Sequence, residues 1–244
     1  MSKRSGFKKF LGLAAAIGLG VLSAGKAQAG FTAINGPHVG EQSQAQILSH
    51  NYGGTFSASG LNLTNGSLTA YRIDDNDDQV LPFDILSTKT LGVFASLKQG
   101  LAYGEIGNST QLFNVTGKGY SAVGGTGAVD VPNPTQLIRT GGGYQFSSLE
   151  SANVDGKDHL VTYLLVDDSV KSNKKDSTLT FVLFWEDLAK GQKNADWDFN
   201  DLAVEVKAAS PVVVPLPAAA WSGIATLAGS AVMAGYRKAR RQMA

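Results

Sequence analysis

The sequence predicts an all-β fold, an antiparallel β-sandwich of jelly-roll-like form, with a signal helix before it and a transmembrane helix after it. Three observations point there. Between residues 30 and 210, short runs of β-branched and aromatic residues alternate with clusters of Gly, Asn, Asp and Ser, while helical periodicity is scarce. There is no cysteine, which removes a disulfide framework, a thiolate zinc site and a cysteine nucleophile together, so a hydrophobic core must hold the fold. The charge is zoned: residues 1–29 carry five cations and no acid, the last eight residues carry four cations, and the body between holds 12 cations against all 20 acids, a formal charge of −8.

Taken in order, residues 1–29 have the three parts of an export signal. Lys3, Arg4, Lys8 and Lys9 precede an apolar run over 10–22, and Ala27 and Ala29 before Gly30 suit a signal peptidase cleavage site. The apolar run is shorter than the roughly 20 residues needed to span a bilayer core, which favours a cleaved leader over an anchor. Residues 30–210 form the extracellular domain, long enough for one core. Strands are predicted over 54–59, 67–73, 90–95, 111–116, 159–166, 177–185 and 202–207, with turn-rich stretches at 117–127 and 153–156. Four Asn-x-Ser/Thr sequons, at Asn62, Asn65, Asn108 and Asn114, read chiefly as polar β surface.

The acidic body argues against nucleic acid, whose phosphates it would repel, and suits divalent cations or neutral glycans. No G-x-G-x-x-G opens a helix, and no phosphate loop, G-x-S-x-G elbow or H-E-x-x-H motif occurs. His38, His50 and His159 stand apart without ligand spacing, and His159 reads as a hydrogen-bonded residue at a strand start. The protein is therefore expected to be non-enzymatic. A secreted glycan hydrolase using paired carboxylates, or a carbohydrate-binding adhesin, is the alternative.

The densest chemistry lies between the last two strands. If 177–185 and 202–207 pair antiparallel, the acids at their shared end, Glu186, Asp187, Asp196, Asp198, Asn200 and Asp201, fold around one point. Crowded carboxylates repel, and Ca2+ relieves the repulsion by taking 6 to 8 oxygens from flexible loops. The spacing Asp196-x-Asp198-x-Asn200 matches the first half of an EF-hand loop, but Asp201 and Lys207 stand where that motif requires Gly and Glu, which excludes it. The competing reading of the cluster is structural, with Asx side chains bonding nearby backbone over Trp185, Trp197 and Phe199. A weaker metal candidate is Asp74, Asn76 and Asp78, in an acidic run that also reads as a solvated turn.

Residues 211–217 form a Pro-containing linker, and 218–236 are uncharged and long enough to span a bilayer as a helix. Trp221 and Tyr236 suit its two interfaces, and Arg237, Lys238, Arg240 and Arg241 in the tail 237–244 would hold the end in the cytoplasm. The motif Val214-Pro215-Leu216-Pro217 followed by Ala-Ala-Ala-Trp, the apolar span and the basic end resemble the PEP-CTERM sorting signal in its V-P-L-P-A-A-A-W form. That resemblance implies recognition by an exosortase at the membrane, in Gram-negative bacteria that make exopolysaccharide and biofilm. Leu216 departs from the eponymous motif, which has Glu there. The stretches Gly40 to His50 with Tyr52-Gly-Gly-Thr55, Asp158-His-Leu-Val-Thr-Tyr163, Trp185-Glu-Asp-Leu188 and Asp196-Trp-Asp-Phe-Asn-Asp-Leu202 are also similar to an uncharacterised extracellular domain found with that signal. The expectation is an exported envelope or matrix protein, anchored transiently in the membrane, with signal peptidase and exosortase as partners, exopolysaccharide or another glycan as a further partner, and a structural Ca2+.

Overall fold

A computed structural model describes residues 30–80, 84–95, 97–131, 135–167, 178–189, 191–192 and 195–209. The leader with Ala27 and Ala29, the motif Val214, Pro215, Leu216 and Pro217, the span 218–236 and the basic tail lie outside the described residues. Among the described residues no helix is long and apolar enough to cross a membrane.

In chain order the elements are helix α1 (Gln44–Tyr52) and strands β1 (Ser57–Ser59), β2 (Asn62–Thr64), β3 (Leu68–Arg72), β4 (Ile85–Gly92), β5 (Gly100–Glu105), β6 (Asn108–Asn114), β7 (Gly125–Thr126), β8 (Leu137–Gly141) and β9 (Tyr144–Ser147). A 3-10 turn at Glu150–Ala152 leads to β10 (Leu160–Asp167), β11 (Thr178–Trp185) and β12 (Leu202–Ala209). The fold is mostly β, and its strand pairs are antiparallel. The larger sheet runs β1-β2-β3-β10-β11-β12-β4-β7 and the smaller β6-β5-β8-β9. Each predicted strand has a counterpart with shifted ends.

The run Thr178–Trp185 sits near the middle of the larger sheet, and its alternate side chains feed two cores. Phe181, Leu183 and Trp185 face one cluster with Leu101, Phe113 and Leu137 of the smaller sheet, while Val182 and Phe184 face a second with Ile47 and Leu48 of α1. A strand covered on both faces has no polar side to show, which is why its sequence is continuously apolar. Burying each of these large side chains contributes about 1.5–3 kcal/mol.

Helix α1 was not anticipated from periodicity. Its start is nevertheless written locally: Ser43 accepts from the Gln46 backbone N–H while Gln46 Oε1 accepts from the Ser43 N–H, a reciprocal capping box. Gly53, at φ 78°, ends it. The helix covers the larger sheet, and the segment leading into it, residues 30–43, crosses the end of that sheet where β11 and β12 meet.

Candidate metal centre

Strands β11 and β12 pair in register from Thr178↔Ala209 to Trp185↔Leu202. The connection between them therefore begins and ends at one point, with Glu186 and Asp187 leaving β11 beside Asp201 entering β12. Glu186, Asp187 and Asp201 each offer a carboxylate oxygen, and the three oxygens lie within 4.8 Å of one another. All three residues are buried, at 1%, 3% and 8% exposure. Glu41, Asp196 and Asp198 form a second such triad, with Glu41 and Asp196 half-buried. Of the six residues expected from sequence, Glu186, Asp187 and Asp201 form the first triad and Asp196 and Asp198 belong to the second, Asn200 is bonded to Asp198, and Glu41 joins the second triad from the segment before α1.

Hydrogen bonds fix this arrangement. Asp201 Oδ2 accepts from the Asp187 N–H at 2.8 Å, tying the two strand ends together. Asp198 accepts from the Asn200 N–H at 3.2 Å and from Asn200 Nδ2 at 2.5 Å, an Asx arrangement that satisfies part of the structural reading of the loop. Between these acids Trp197 and Phe199 have φ of 60° and 55°, a left-handed backbone that costs a non-glycine residue about 1–2 kcal/mol. It persists because both rings pack inward, Phe199 with no exposure, and because the incoming segment clamps the loop. Asn35 donates its N–H to the Trp197 carbonyl at 2.9 Å and its Nδ2 to the Asp196 carbonyl at 2.5 Å, and the His38 N–H donates to Asp198 Oδ2 at 3.3 Å.

One cation faces the inner triad among the described residues. Arg139 of β8, fully buried, stands with Nη2 3.3 Å from Asp187 Oδ2. Gln99 bridges the pair, accepting from Arg139 Nε at 2.6 Å and donating to Asp187 Oδ2 at 2.9 Å. Arg139 therefore compensates Asp187 and leaves Glu186 and Asp201 in excess. Glu186 Oε2 and Asn200 Oδ1 are buried without a hydrogen-bond partner among the described residues.

The electrostatics reflect that excess. Burial, then repulsion from Asp196, Asp187 and Asp198, pushes Glu186 up to about 8. Burial and the charges of Asp187 and Glu186 push Asp201 up to about 10, and burial with Asp196 and Glu41 takes Asp198 to about 7. Asp187 is raised by burial, an effect opposed by Arg139 and the Gln99 hydrogen bond. Without a counter-ion this centre would have to hold protons at neutral pH.

The residues fit a hard divalent cation. Oxygens bound to one Ca2+ lie about 2.3–2.6 Å from it, hence no more than about 5 Å apart, and the inner triad meets that limit. Sequence reasoning missed Arg139, Gln99 and Glu41. Arg139 carried a usable signal, a lone cation directly after the apolar pair Leu137-Ile138, whereas Gln99 and Glu41 are unremarkable in their local sequence.

The weaker candidate divides. Asp74 Oδ1 accepts from the Asn76 N–H at 2.9 Å and from its Nδ2 at 2.8 Å, an Asx turn near the surface, while Asp78 turns inward with 2% exposure. Asp74 and Asn76 thus bond to each other near the surface, whereas Asp78 is buried. His159 takes the role expected of it at a strand start: Nε2 lies 3.2 Å from Asp155 and the ring stacks on Phe146 at 3.8 Å.

Residues 125–209 match the model of a domain of unknown function, DUF4114. The match begins at β7 and ends at β12, so it contains Arg139, the inner triad, Asp196 and Asp198, and it excludes Glu41 and Gln99. The boundary of the match thus divides the centre, since Glu41 of the outer triad and Gln99 beside the inner one come from the chain before it. Neither the curated proteins nor the solved structures include a match to this chain.

Proposed function

We propose that this is an exported envelope or matrix protein whose jelly-roll-like β-sandwich binds Ca2+ as a structural ion and performs no catalysis. The observation that carries the reading is the inner triad: three buried carboxylates whose oxygens converge within 4.8 Å, with Arg139 as counter-charge. Glu186, Asp187 and Asp201 would supply the charged ligands, Asn200 Oδ1 a neutral donor, and Glu41, Asp196 and Asp198 the flank toward solvent. Bound there, Ca2+ would neutralise the repulsion and lock the β11 to β12 connection against the segment before α1. Burial supports a structural role over glycoside hydrolysis, since hydrolysis requires two carboxyl groups flanking a sugar at about 5 Å or more.

Delivery rests on the two ends. The leader ending at Ala29, the Val214 to Pro217 motif and the basic tail support export, transient membrane anchoring and sorting by an exosortase in an exopolysaccharide-producing envelope.

Isothermal titration of the full chain with Ca2+ tests the ion. Saturable heat is expected, together with its loss in Glu186→Gln, and an unmodified chain that gives no binding at millimolar ion would refute the proposal.

A further inference from the structure

A cavity of about 410 Å3 opens beside the acidic centre. It is lined by Trp197 of the β11 to β12 connection, by Thr32 and Asn35 of the segment before α1, and by Glu150, Lys157 and Asp158 of the stretch between β9 and β10. Its volume falls within the range of about 300–1,000 Å3 in which small ligands are held.

Two of these residues carry features that the fold alone does not use. Asp158 is 4% exposed; its Oδ1 accepts from the Leu160 N–H at 3.0 Å, while Oδ2 has no hydrogen-bond partner among the described residues. A buried acceptor left unpaired is costly until a donor reaches it, and the cavity that Asp158 lines is where a ligand hydroxyl could do so. Trp197 is a half-buried indole on a left-handed backbone, φ 60°, which a bulky residue rarely adopts. Asn35 fixes that backbone, donating its N–H to the Trp197 carbonyl and its Nδ2 to the Asp196 carbonyl. The ring itself rests against His159, with centroids 5.1 Å apart, and Phe199, at 5.9 Å. The indole is therefore held in the cavity wall before any ligand arrives.

We propose that this cavity binds a pyranose unit of a neutral glycan, stacked on Trp197 with its hydroxyls bonded to Asp158, Glu150 and Lys157. A sugar ring offers a face of C–H groups that suits an indole, and hydroxyls that both donate and accept. Carboxylates only accept and an ammonium only donates, so hydroxyls can satisfy both kinds of group where neither a pure donor nor a pure acceptor could. Charge narrows the class further. Glu150 and Asp158 repel phosphate, sulfate and uronate groups, as does a body with a formal charge of −8, while Lys157 opposes an amine. None of Glu186, Asp187 and Asp201 lines the cavity, so the glycan site stands whether or not the acidic centre holds an ion.

An array of neutral, acidic and amino oligosaccharides, probed with the full chain and followed by calorimetry on the sugars that bind, tests this. Binding to neutral members is expected, with Trp197→Ala and Asp158→Asn each weakening it by about tenfold or more. A chain that binds no neutral oligosaccharide, that prefers acidic or amino ones, or that binds as well after Trp197→Ala overturns the proposal, and so does a bound sugar that is shortened on incubation. Should the variants not fold, the indole N–H NMR signals of the unmodified chain decide. The Trp197 signal is expected to move on adding the bound sugar while that of the buried Trp185 stays; a sugar that binds without moving Trp197 overturns the site.

Discussion

Asp201 is held in place by the Asp187 N–H and surrounded by the charges of Asp187, Glu186 and Asp198, so its side chain is both a strand clamp and the most strongly raised acid of the centre. Neutralising a neighbour should therefore have opposite effects with and without metal. In chelator, Glu186→Gln removes a buried, repelled carboxylate and should raise the melting midpoint; in Ca2+, it should abolish the ion-dependent rise. A variant that melts lower in chelator and still responds to Ca2+ would contradict this. Arg139 behaves differently, because it compensates Asp187 directly. Arg139→Met should cost about 3–5 kcal/mol in denaturant unfolding by leaving that charge buried alone.

The same residues set the pH dependence. In the metal-free fold Glu186 and Asp198 are raised to about 8 and about 7, whereas unfolded carboxyls titrate near about 4. The folded chain then binds more protons than the unfolded chain across that window, so this contribution to stability is complete below about pH 4 and is lost as pH rises through about 7 to 8. Melting in chelator should fall over that range, while melting in Ca2+, with the carboxylates already ionised, should not. Parallel curves would contradict the assignment of these acids to the ion.

At the scale of elements, β11 and the centre it leads into were legible because burial on both faces writes a continuous apolar run, and because antiparallel pairing obliges the acids at its end to meet those before β12. Phe184→Ala should accordingly cost about 3–5 kcal/mol. Strands β5 and β8 were not legible. β5 opens at Gly100, where an added Cβ would stand 2.8 Å from Thr140 Oγ1 and 2.9 Å from the Phe113 carbonyl, so a residue that reads as a strand breaker is there to let three strands close. Glu41 could not be assigned from sequence either, since its place depends on how the segment before α1 returns to the distant Asp196 loop. Helix α1 was hidden by its short length, yet the Ser43 to Gln46 capping box was available in the sequence. Ser43→Ala should lower stability by about 0.5–2 kcal/mol, read as a shift in denaturant midpoint.

At the scale of the whole molecule, the acidic body and its buried acids fit the proposed ion, which in a domain without disulfides would supply the cross-link that cysteine does not. Removing residues 214–244 should leave the domain folded and change its distribution between envelope and medium, as fractionation of the producing cell would register; an unchanged distribution would remove the sorting proposal. The calcium claim is the central one, and thermal melting of the full chain near neutral pH, in millimolar Ca2+ and in chelator, tests it most directly. At Ca2+ one hundred times its Kd, binding adds about 2.7 kcal/mol, which for a chain of this size raises the midpoint by about 5–10 °C. The same midpoint in Ca2+ and in chelator would contradict the account and leave the loop held by its Asx hydrogen bonds alone.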